Sequence, residues 1–320
     1  MSGCACLLIE LGPDGSLRPF ERQALGRWLN RQACAVIGIA AEGPNHPLAC
    51  ACDAVARSAE DAAELVPNIE AAPLAALVLV QLLRATEGMD PCRALTFESL
   101  AYAALQAGAE FRRWLAEVTP GSREPVVEAG APVLLERHGA QLRLRLNRPG
   151  KRNALSVEMR DALVEALELV DADPSIGSVS ICGEGKCFSA GGDLSEFGTA
   201  ADPSLAHAVR STRSVAALLA RCGPRLTVHV HGAAVGAGIE MAAFGRHVEA
   251  TPDAFFQLPE IRYGLIPGCG GCVSIPRRIG RLRTAYLALS ARRLDARTAH
   301  EWGLVDALTQ SVTHAQVAQA

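Results

Sequence analysis

The segment LTVHVHGAAVGAGIEMAAFG, residues 226–245, decides the fold. Apolar and polar side chains alternate over its first residues, which predicts a half-buried β-strand. Glycines follow at positions 232, 236 and 238, with mostly small side chains between them. The residues IEMAAF at 239–244 then predict the first turns of a helix, which Gly245 stops.

This order of strand, glycine-rich turn and helix predicts a site for an anion. The first N–H groups of a helix have no partner within it, and at such a turn they can bind negative charge. Glu240 lies one turn into the predicted helix, close to these donors. A solvated acidic residue is common in a first helical turn, so a chemical role for Glu240 depends on the other motifs of the chain.

Composition excludes several classes of function. The chain has 320 residues, enough for two domains or one large one, and 49% of them are hydrophobic, so it can bury a large core. The net charge of −3 gives no attraction to nucleic acid or acidic membranes. Aromatic residues make up only 4%, which argues against a surface that stacks nucleic-acid bases.

Neither a membrane span nor an export signal is expected. The most apolar stretch, residues 71–83, is too short and contains Pro73 and Gln81. The first 15 residues lack the basic start of a signal peptide. We therefore expect a cytoplasmic protein whose eleven cysteines stay reduced. Their spacing does not match a zinc finger, so we expect buried thiols rather than a metal site.

The front region, residues 1–118, is predicted to be an α/β region rich in helices. Its strand candidates are 7–9, 35–39 and 49–54, and its helix candidates are 20–30, a stretch from Pro73 onward, 97–105 and 111–115. Ser58 followed by Asp61 indicates a helix N-cap. Residues 119–131, TPGSREPVVEAGA, carry two prolines and two glycines and predict a linker.

The second region, residues 132–320, alternates predicted strands and helices. The strand candidates are 142–146, 179–181, the start of 226–245, 247–250 and 255–258. The helix candidates are 156–170, 205–221, 270–281, 283–291 and 296–302. This alternation predicts a layered α/β fold with parallel strands.

Three places in the second region combine glycine-rich turns with carboxylates. They are FSAGGDL at 188–194, the segment 226–245 with Glu240, and QLPE at 257–260, which GLIPG follows at 264–268. Backbone N–H groups from two separate turns are what an oxyanion hole needs. Two partly buried glutamates, Glu240 and Glu260, are what proton transfer needs, because burial moves a carboxyl pKa toward neutrality. Together these features predict chemistry through an enolate.

These residues carry a resemblance to a known family. The matching text is NRP at 147–149 with NAL at 153–155, then FSAGGDL, HGAAVGAGIEMA, LPEIRYGLIPGCGG and ARTAHEWGLVD at 296–306. Over residues 142–308 the chain resembles the enoyl-CoA hydratase/isomerase, or crotonase, superfamily. The resemblance implies a crotonase-like layered α/β fold built of ββα units with parallel strands.

The resemblance also implies roles for individual residues. The N–H groups of Gly192 and Ala237 would form the oxyanion hole for a thioester carbonyl. Glu240 and Glu260 would hold and activate a water molecule, with the N–H of Gly268 as a further contact to it. The implied reaction is the addition of water to a 2-enoyl-CoA, with no metal or redox cofactor and with coenzyme A as part of the substrate.

The residues that would bind coenzyme A and line the acyl pocket are assigned on less specific motifs. Coenzyme A would be bound by Lys151, Arg152, Ala190 and Gly191, with Arg148 as a weaker candidate. The acyl pocket would be lined by Leu194, Met241, Leu265 and Ile266. The partner is an acyl-CoA substrate, and the resemblance implies a homo-oligomer, either a trimer or a hexamer.

The chain departs from the family at both ends of the match. Family members continue past the LVD-like segment with a helical subdomain, whereas here only residues 308–320 follow it. One hypothesis is a permuted arrangement in which helices at 73–118 replace that missing C-terminal cap. Another is that the front region is a degraded copy of the same fold, because residues 35–53 echo the pattern of 177–193.

Alternative functions stay open from the sequence. Within the superfamily they are enoyl-CoA isomerisation, acyl-CoA hydrolysis and decarboxylation. Outside catalysis, the chain could be a non-catalytic acyl-CoA-binding or scaffold protein.

Other candidate residues are expected to be structural. Asp193 is expected to cap a turn, and His229 and His231 alternate along a strand. Ser189 lacks the setting of a nucleophile elbow, and Cys269 is expected to be a small packing residue.

Overall fold

Parallel strands organise both regions of the chain. The computed structural model describes residues 5–12, 17–117, 128–200 and 202–310. The strands are β1 (Cys6–Glu10), β2 (Ala35–Ile39), β3 (Ala54–Ala56), β4 (Val133–His138), β5 (Gln141–Leu146), β6 (Ser178–Gly183), β7 (Leu226–Val230), β8 (Ala233–Val235), β9 (His247–Ala250), β10 (Phe255–Gln257), β11 (Leu294–Asp295) and β12 (Ala307–Leu308). The helices are α1 (Pro19–Leu29), α2 (Ala59–Ala63), α3 (Val66–Ala71), α4 (Pro73–Thr86), α5 (Pro91–Gln106), α6 (Ala109–Glu117), α7 (Val157–Ala172), α8 (Pro203–Thr212), α9 (Val215–Cys222), α10 (Ala237–Ala242), α11 (Gly271–Ser290) and α12 (Ala296–Trp302).

The largest sheet has the strand order β12-β9-β7-β6-β5-β4. Its strands from β5 through β12 pair in parallel, and β4 alone pairs antiparallel, with Val133 opposite Leu146. Along β5 the residues alternate between buried and half-buried positions, as its alternating sequence predicts. The mixed α/β fold with parallel strands is therefore confirmed.

A second sheet, β11-β10-β8, carries the turns of the candidate site. The chain leaves β7 and enters β8 through Gly232, whose φ is +56°. A Cβ atom at this position would lie 2.4 Å from the carbonyl oxygen of Lys186, so only glycine fits. This bend lets one continuous segment contribute β7 to the largest sheet and β8 to the second.

The front region shares a hydrophobic core with the second region. Its parallel sheet has the order β1-β2-β3, and β3 contacts α11. Ile37 of β2, Leu79 of α4 and Leu287 of α11 belong to the same cluster of buried residues. Burial of such a side chain contributes roughly 1.5–3 kcal/mol, so the contact between the regions is a large stabilising term.

Several predicted elements differ from the structure at their boundaries. The helix predicted at 205–221 is two helices, because Arg213 leaves the helical region and the Ser214 side chain accepts from the N–H of Ala217 to begin α9. The strand predicted at 49–54 is wrong: a short 3-10 helix, Ala49–Ala51, precedes β3. The predicted linker lies mostly outside the described residues, as do residues 311–320.

The described residues contain neither a single helix suited to cross a membrane nor a cluster of side chains suited to hold a metal ion. No single helix in the described ranges has the length and apolar character to cross a membrane. The helical segments Ala59–Ala71 and Pro73–Thr86, which meet at a sharp bend, have that length and apolar character only when they are taken together. Within the same ranges, no group of three or more His, Cys, Asp or Glu side chains is arranged to hold a metal ion.

Candidate active site

Two backbone amides at the start of α11 hold the carboxyl of Glu240. Glu240 projects from α10, is 1% exposed, and its Oε2 accepts hydrogen bonds from the N–H groups of Cys269 (2.7 Å) and Gly271 (2.8 Å). Burial raises the pKa of Glu240 to about 7, although both N–H donors act in the opposite direction. Its Oε1 accepts no hydrogen bond from any described residue, so one oxygen is fixed and the other is available.

Glu260 lies beside the turn that precedes α10. It begins the short 3-10 helix Glu260–Tyr263 after β10, and a Cβ atom on Gly236 would lie 2.6 Å from its Oε1. Glu260 is 8% exposed, and its Oε2 is buried without a hydrogen-bond partner in the described part of the chain. Burial raises the pKa of Glu260 well above its usual range, and the charge of Glu240 adds to this rise. The structure therefore brings the two predicted carboxyls to one place.

The two predicted oxyanion amides follow two turns that touch. Gly191 has a φ of +97°, and a Cβ atom there would lie 2.8 Å from the carbonyl oxygen of Val235 and 3.7 Å from Cα of Gly236. The next residues, Gly192 and Ala237, have N–H groups that donate to no acceptor among the described residues. Because neighbouring turns carry both free donors, the arrangement is compatible with an oxyanion hole, which stays a prediction.

Glu98 of α5 is a third carboxyl at the site, and sequence reasoning did not assign it a role. It is 2% exposed, and it accepts from the N–H of Gly270 through Oε1 (2.7 Å) and from the N–H of Cys272 through Oε2 (2.8 Å). Burial raises the pKa of Glu98 well above its usual range, and the charge of Glu240 raises it further. The available signal was its position on the same face of α5 as the buried Ala94 and Leu105.

Helices of the front region lie over this site within the same chain. The ring of Tyr102 contacts Gly268, since a Cβ atom on that glycine would lie 2.3 Å from the ring. Gly264 likewise contacts Glu110 of α6. Among the described residues the N–H of Gly268 donates to no acceptor. The hypothesis that residues 73–118 replace a C-terminal cap is consistent with these contacts and stays a proposal.

Four aromatic side chains cluster beside the candidate oxyanion turn. Trp114 of α6 lies 4.7 Å from Tyr263 and 6.0 Å from Phe197, measured between ring centroids, and it stacks on Phe111 at 5.8 Å. A Cβ atom on Gly192 would lie 2.9 Å from the Phe197 ring. The front region thus contributes two of the four rings in this cluster.

Of the residues predicted to bind coenzyme A, Lys151 and Arg152 lie on an exposed edge of the site, whereas Ala190 is half-buried and Gly191 is buried. Lys151 and Arg152 are exposed, and Lys151 forms an ion pair with Asp193 at 3.3 Å. The N–H of Ala190 donates to the carbonyl oxygen of Arg152 at 2.9 Å, which joins these residues to the turn at Gly191. Their role stays a prediction.

Arg148 does not lie on this exposed edge. It is buried, pairs with Glu158, and donates to the carbonyl oxygens of Asn147 and Gly130. These contacts indicate a structural role for Arg148.

The residues predicted to line the acyl pocket do not share one surface. Leu194 is 48% exposed, whereas Leu265 and Ile266 are buried in the core. Met241 lines a core cavity of about 10 Å³ together with Phe188. Because Met241 is next to Glu240 on a helix, the two side chains point in different directions, and this packing gives no support to a place for Met241 in the acyl pocket.

The side chains expected to be structural make structural contacts. Asp193 accepts from the N–H of Ser195, and His229 and His231 contact Glu249 and the carbonyl oxygen of Gly185. Ser189 donates to the carbonyl oxygen of Asn153 and is fully buried. Burial raises the pKa of the Cys269 thiol well above its usual range, which favours the neutral form.

Known proteins that are similar to this chain belong to one family. The family Enoyl-CoA hydratase/isomerase matches residues 136–319. The 1,2-epoxyphenylacetyl-CoA isomerase of Escherichia coli (strain K12) is 37% identical over 180 residues, which cover 55% of this chain and 69% of that protein. The 2,3-dehydroadipyl-CoA hydratase of the same strain is 37% identical over 174 residues, which cover 54% of this chain and 67% of that protein. The crystal structure of an enoyl-CoA hydratase/isomerase from Mycobacterium paratuberculosis has a TM-score of 0.53 at 28% identity and covers 58% of this chain and 75% of that one.

Proposed function

The chain belongs to the enoyl-CoA hydratase/isomerase family, and from this premise we propose that it adds water to the double bond of a 2-enoyl-CoA. The observation that carries the proposal is the pair of buried carboxyls. Glu240 has one oxygen fixed by two N–H groups, and Glu260 keeps a buried oxygen without a partner in the described ranges. A carboxyl oxygen that is buried and unpaired is placed to exchange a proton with a substrate or a water molecule.

The two carboxyls have different environments, which assigns them different roles. Two N–H donors favour the ionised form of Glu240, whereas no such donor from another residue acts on Glu260, whose pKa lies well above its usual range. Groups whose pKa values are pushed apart serve as base and acid. In our proposal Glu240 accepts the proton of the attacking water, and Glu260 supplies the proton to the α-carbon.

The proposed steps balance without a cofactor. The water oxygen bonds to the β-carbon as Glu240 takes its proton, and the electron pair of the double bond moves onto the thioester oxygen as an enolate. The N–H groups of Gly192 and Ala237 stabilise that oxygen, where removal of one donor in such a site costs about 3–4 kcal/mol. Glu260 then gives its proton to the α-carbon, and the thioester carbonyl re-forms. Proton exchange with solvent returns Glu240 to its ionised form and Glu260 to its protonated form before the next turnover.

Isomerisation of a 3-enoyl-CoA is the second candidate, and one contact favours it. The Tyr102 ring lies against Gly268, the residue whose N–H would contact the attacking water. A ring at this position leaves less space for the attacking water molecule, whereas isomerisation needs only the transfer of a proton between two carbons.

Two assays distinguish these reactions. Hydration removes the conjugated enoyl thioester absorbance of crotonyl-CoA, and isomerisation of a 3-enoyl-CoA creates it. Loss of absorbance with crotonyl-CoA at a higher kcat/KM than the gain with a 3-enoyl-CoA supports hydration. The reverse order supports isomerisation, and no change in either assay refutes both.

The remaining features of the protein stay proposals. A trimer or hexamer, a cytoplasmic location and a reaction without metal or redox cofactor follow from the family resemblance or the sequence. A non-catalytic role gains no support from the site, because its buried carboxyls and free amides are costly features for a scaffold.

A further inference from the structure

Four consecutive amides at the start of α11 are divided between two glutamates. The N–H groups of Cys269 and Gly271 donate to Glu240, and those of Gly270 and Cys272 donate to Glu98. The N–H groups of Gly271 and Cys272 are the first of α11, and those of Cys269 and Gly270 directly precede it, so all four lie at the positive end of the helix dipole. The two carboxylates therefore alternate along one turn, and neither can move without disturbing the donors of the other.

We propose that Glu98 is a positioning residue that acts through Glu240, because it fixes the turn at 269–272 and its charge is linked to that of Glu240. This inference rests on the proposed function, since it concerns the same carboxyls. Glu98 comes from α5 in the front region, outside the residues that match the family.

A fixed helix carries Glu98 to the turn. The Oγ of Ser99 lies 2.9 Å from Nδ1 of His207, and Arg210 donates to the Oγ of Ser99 and to the Oε1 of Gln106. His207 and Arg210 both belong to α8, so α5 is tied to α8 at the residue that follows Glu98 and again at Gln106. The guanidinium of Arg210 also lies 4.8 Å from the ring centre of Tyr102.

The surroundings of Glu98 contain more negative than positive charge. The ionisable groups around it are Glu240 on α10, Glu260 after β10, Arg210 and His207 on α8, the thiols of Cys269 and Cys272, and Tyr102 on α5 itself. Burial raises the pKa of both thiols well above the usual range, so they are neutral. Three buried carboxyls then face one nearby guanidinium, and repulsion keeps them from all being ionised together.

The hydrogen bonds decide where a shared proton sits. Both oxygens of Glu98 accept an N–H, which favours its ionised form. Glu240 and Glu260 each keep an oxygen that accepts nothing from the described residues. Glu240 likewise accepts two N–H groups, so the hydrogen bonds leave Glu260 as the carboxyl that most readily holds a shared proton, and the charges of Glu240 and Glu98 both raise the pKa of Glu260.

A purely structural alternative is that Glu98 only caps α11. The chain contains a matched example, Glu110, which is also buried and accepts the N–H groups of Leu74 and Ala75 at the start of α4. Glu110→Gln therefore removes the same kind of cap, in a carboxyl that is outside the proposed proton-sharing set. Both variants should lose stability, and only Glu98→Gln should change the titration of the site.

The experiment is an infrared titration of the protonated carboxyl band in the full chain. Above about pH 6 ordinary carboxyls are ionised, so the remaining band reports the buried set. Loss of the negative charge in Glu98→Gln should move the midpoint of this band down by at least about half a pH unit. Arg210→Gln removes a positive charge and should move it up, and Glu110→Gln should leave it unchanged.

The outcomes separate the two explanations. If the midpoint in both Glu98→Gln and Arg210→Gln equals that of the wild type, Glu98 is a cap only and the proposal is overturned. If Glu98→Gln does not fold, Arg210→Gln decides the test by itself.

The titration needs no turnover, so a wild-type chain that fails to hydrate crotonyl-CoA refutes the proposed function without affecting this readout. If the chain does turn over, both limbs of the pH–rate profile of Glu98→Gln should move to lower pH. Limbs at the wild-type position would contradict the charge linkage.

Discussion

Glu240→Gln should make the protein more stable at alkaline pH while it removes activity. In the folded chain burial raises the pKa of Glu240 from 4.5 to about 7. As pH rises through this interval, the unfolded chain loses the proton first, so the folded chain holds more protons and its free energy of unfolding falls. At about 1.4 kcal/mol per pKa unit, the loss approaches about 3 kcal/mol above the folded pKa.

The local geometry makes glutamine a good replacement at this position. Glu240 uses only Oε2 to accept the N–H groups of Cys269 and Gly271. A glutamine oxygen can accept both, and its amide nitrogen takes the place of the oxygen that has no donor among the described residues. The variant therefore keeps the turn and loses the charge, so it should equal the wild type near pH 5 and exceed it by up to about 3 kcal/mol near pH 8.

Urea denaturation followed by circular dichroism, from about pH 5 to about pH 8, measures this difference. Glu110→Gln is the control, because both of its oxygens accept an N–H and its amide nitrogen would face a donor. That variant should lose stability across the whole range. If Glu240→Gln is no more stable than the wild type at the alkaline end, Glu240 is not a buried carboxyl with a raised pKa, and its assignment as the base loses its physical basis.

Two further predictions concern turnover and the oxyanion turn. Glu240→Gln and Glu260→Gln should each lower kcat with crotonyl-CoA by at least about a hundredfold with little change in substrate binding. Steady-state kinetics measure kcat, and a binding isotherm measures the affinity for the substrate. An unchanged kcat in either variant removes that glutamate from the mechanism. Gly191→Ala should cost about 2–4 kcal/mol and displace the N–H of Gly192, because φ is +97° and the new Cβ would lie 2.8 Å from the carbonyl oxygen of Val235. Gly139→Ala, with φ of +59° and no atom within 4 Å of the new Cβ, should cost only about 1 kcal/mol, and equal losses in the two variants would show that the contact with Val235 has no effect.

The fold could be predicted because its signals are local. Alternation along residues 142–146 gave β5, and Ser156 gave the start of α7, where its side chain accepts from the N–H of Met159. The break between α8 and α9 was missed because both halves share helical periodicity and only the backbones of Arg213 and Ser214 depart from helical geometry. Strand β4 was not predicted, since its identity depends on pairing with β5.

The site could be predicted only where its residues follow one another closely. Glu240 and Glu260 each begin or lie in a short helix that their own neighbours in the sequence define. Glu98 is 172 residues away from Gly270, and no spacing in the sequence indicates which helix carries a carboxyl to which turn. The place of Met241 in the acyl pocket stays a prediction, because a sequence motif does not show which way each of two adjacent helical residues points.

The electrostatics of α11 connect the front region to the proposed chemistry. The family match begins at residue 136, but the acceptors for the amides at 269–272 include Glu98 of α5. Without Glu98, two buried N–H groups would lack acceptors at the positive end of a long helix, and Glu240 would be the only carboxylate there. Its ionised form would then be favoured more strongly, and its pKa would fall away from neutrality, where a base is most effective. A front region that lies outside the family match is therefore tied to Glu240, the proposed base, through the hydrogen bonds at the start of α11.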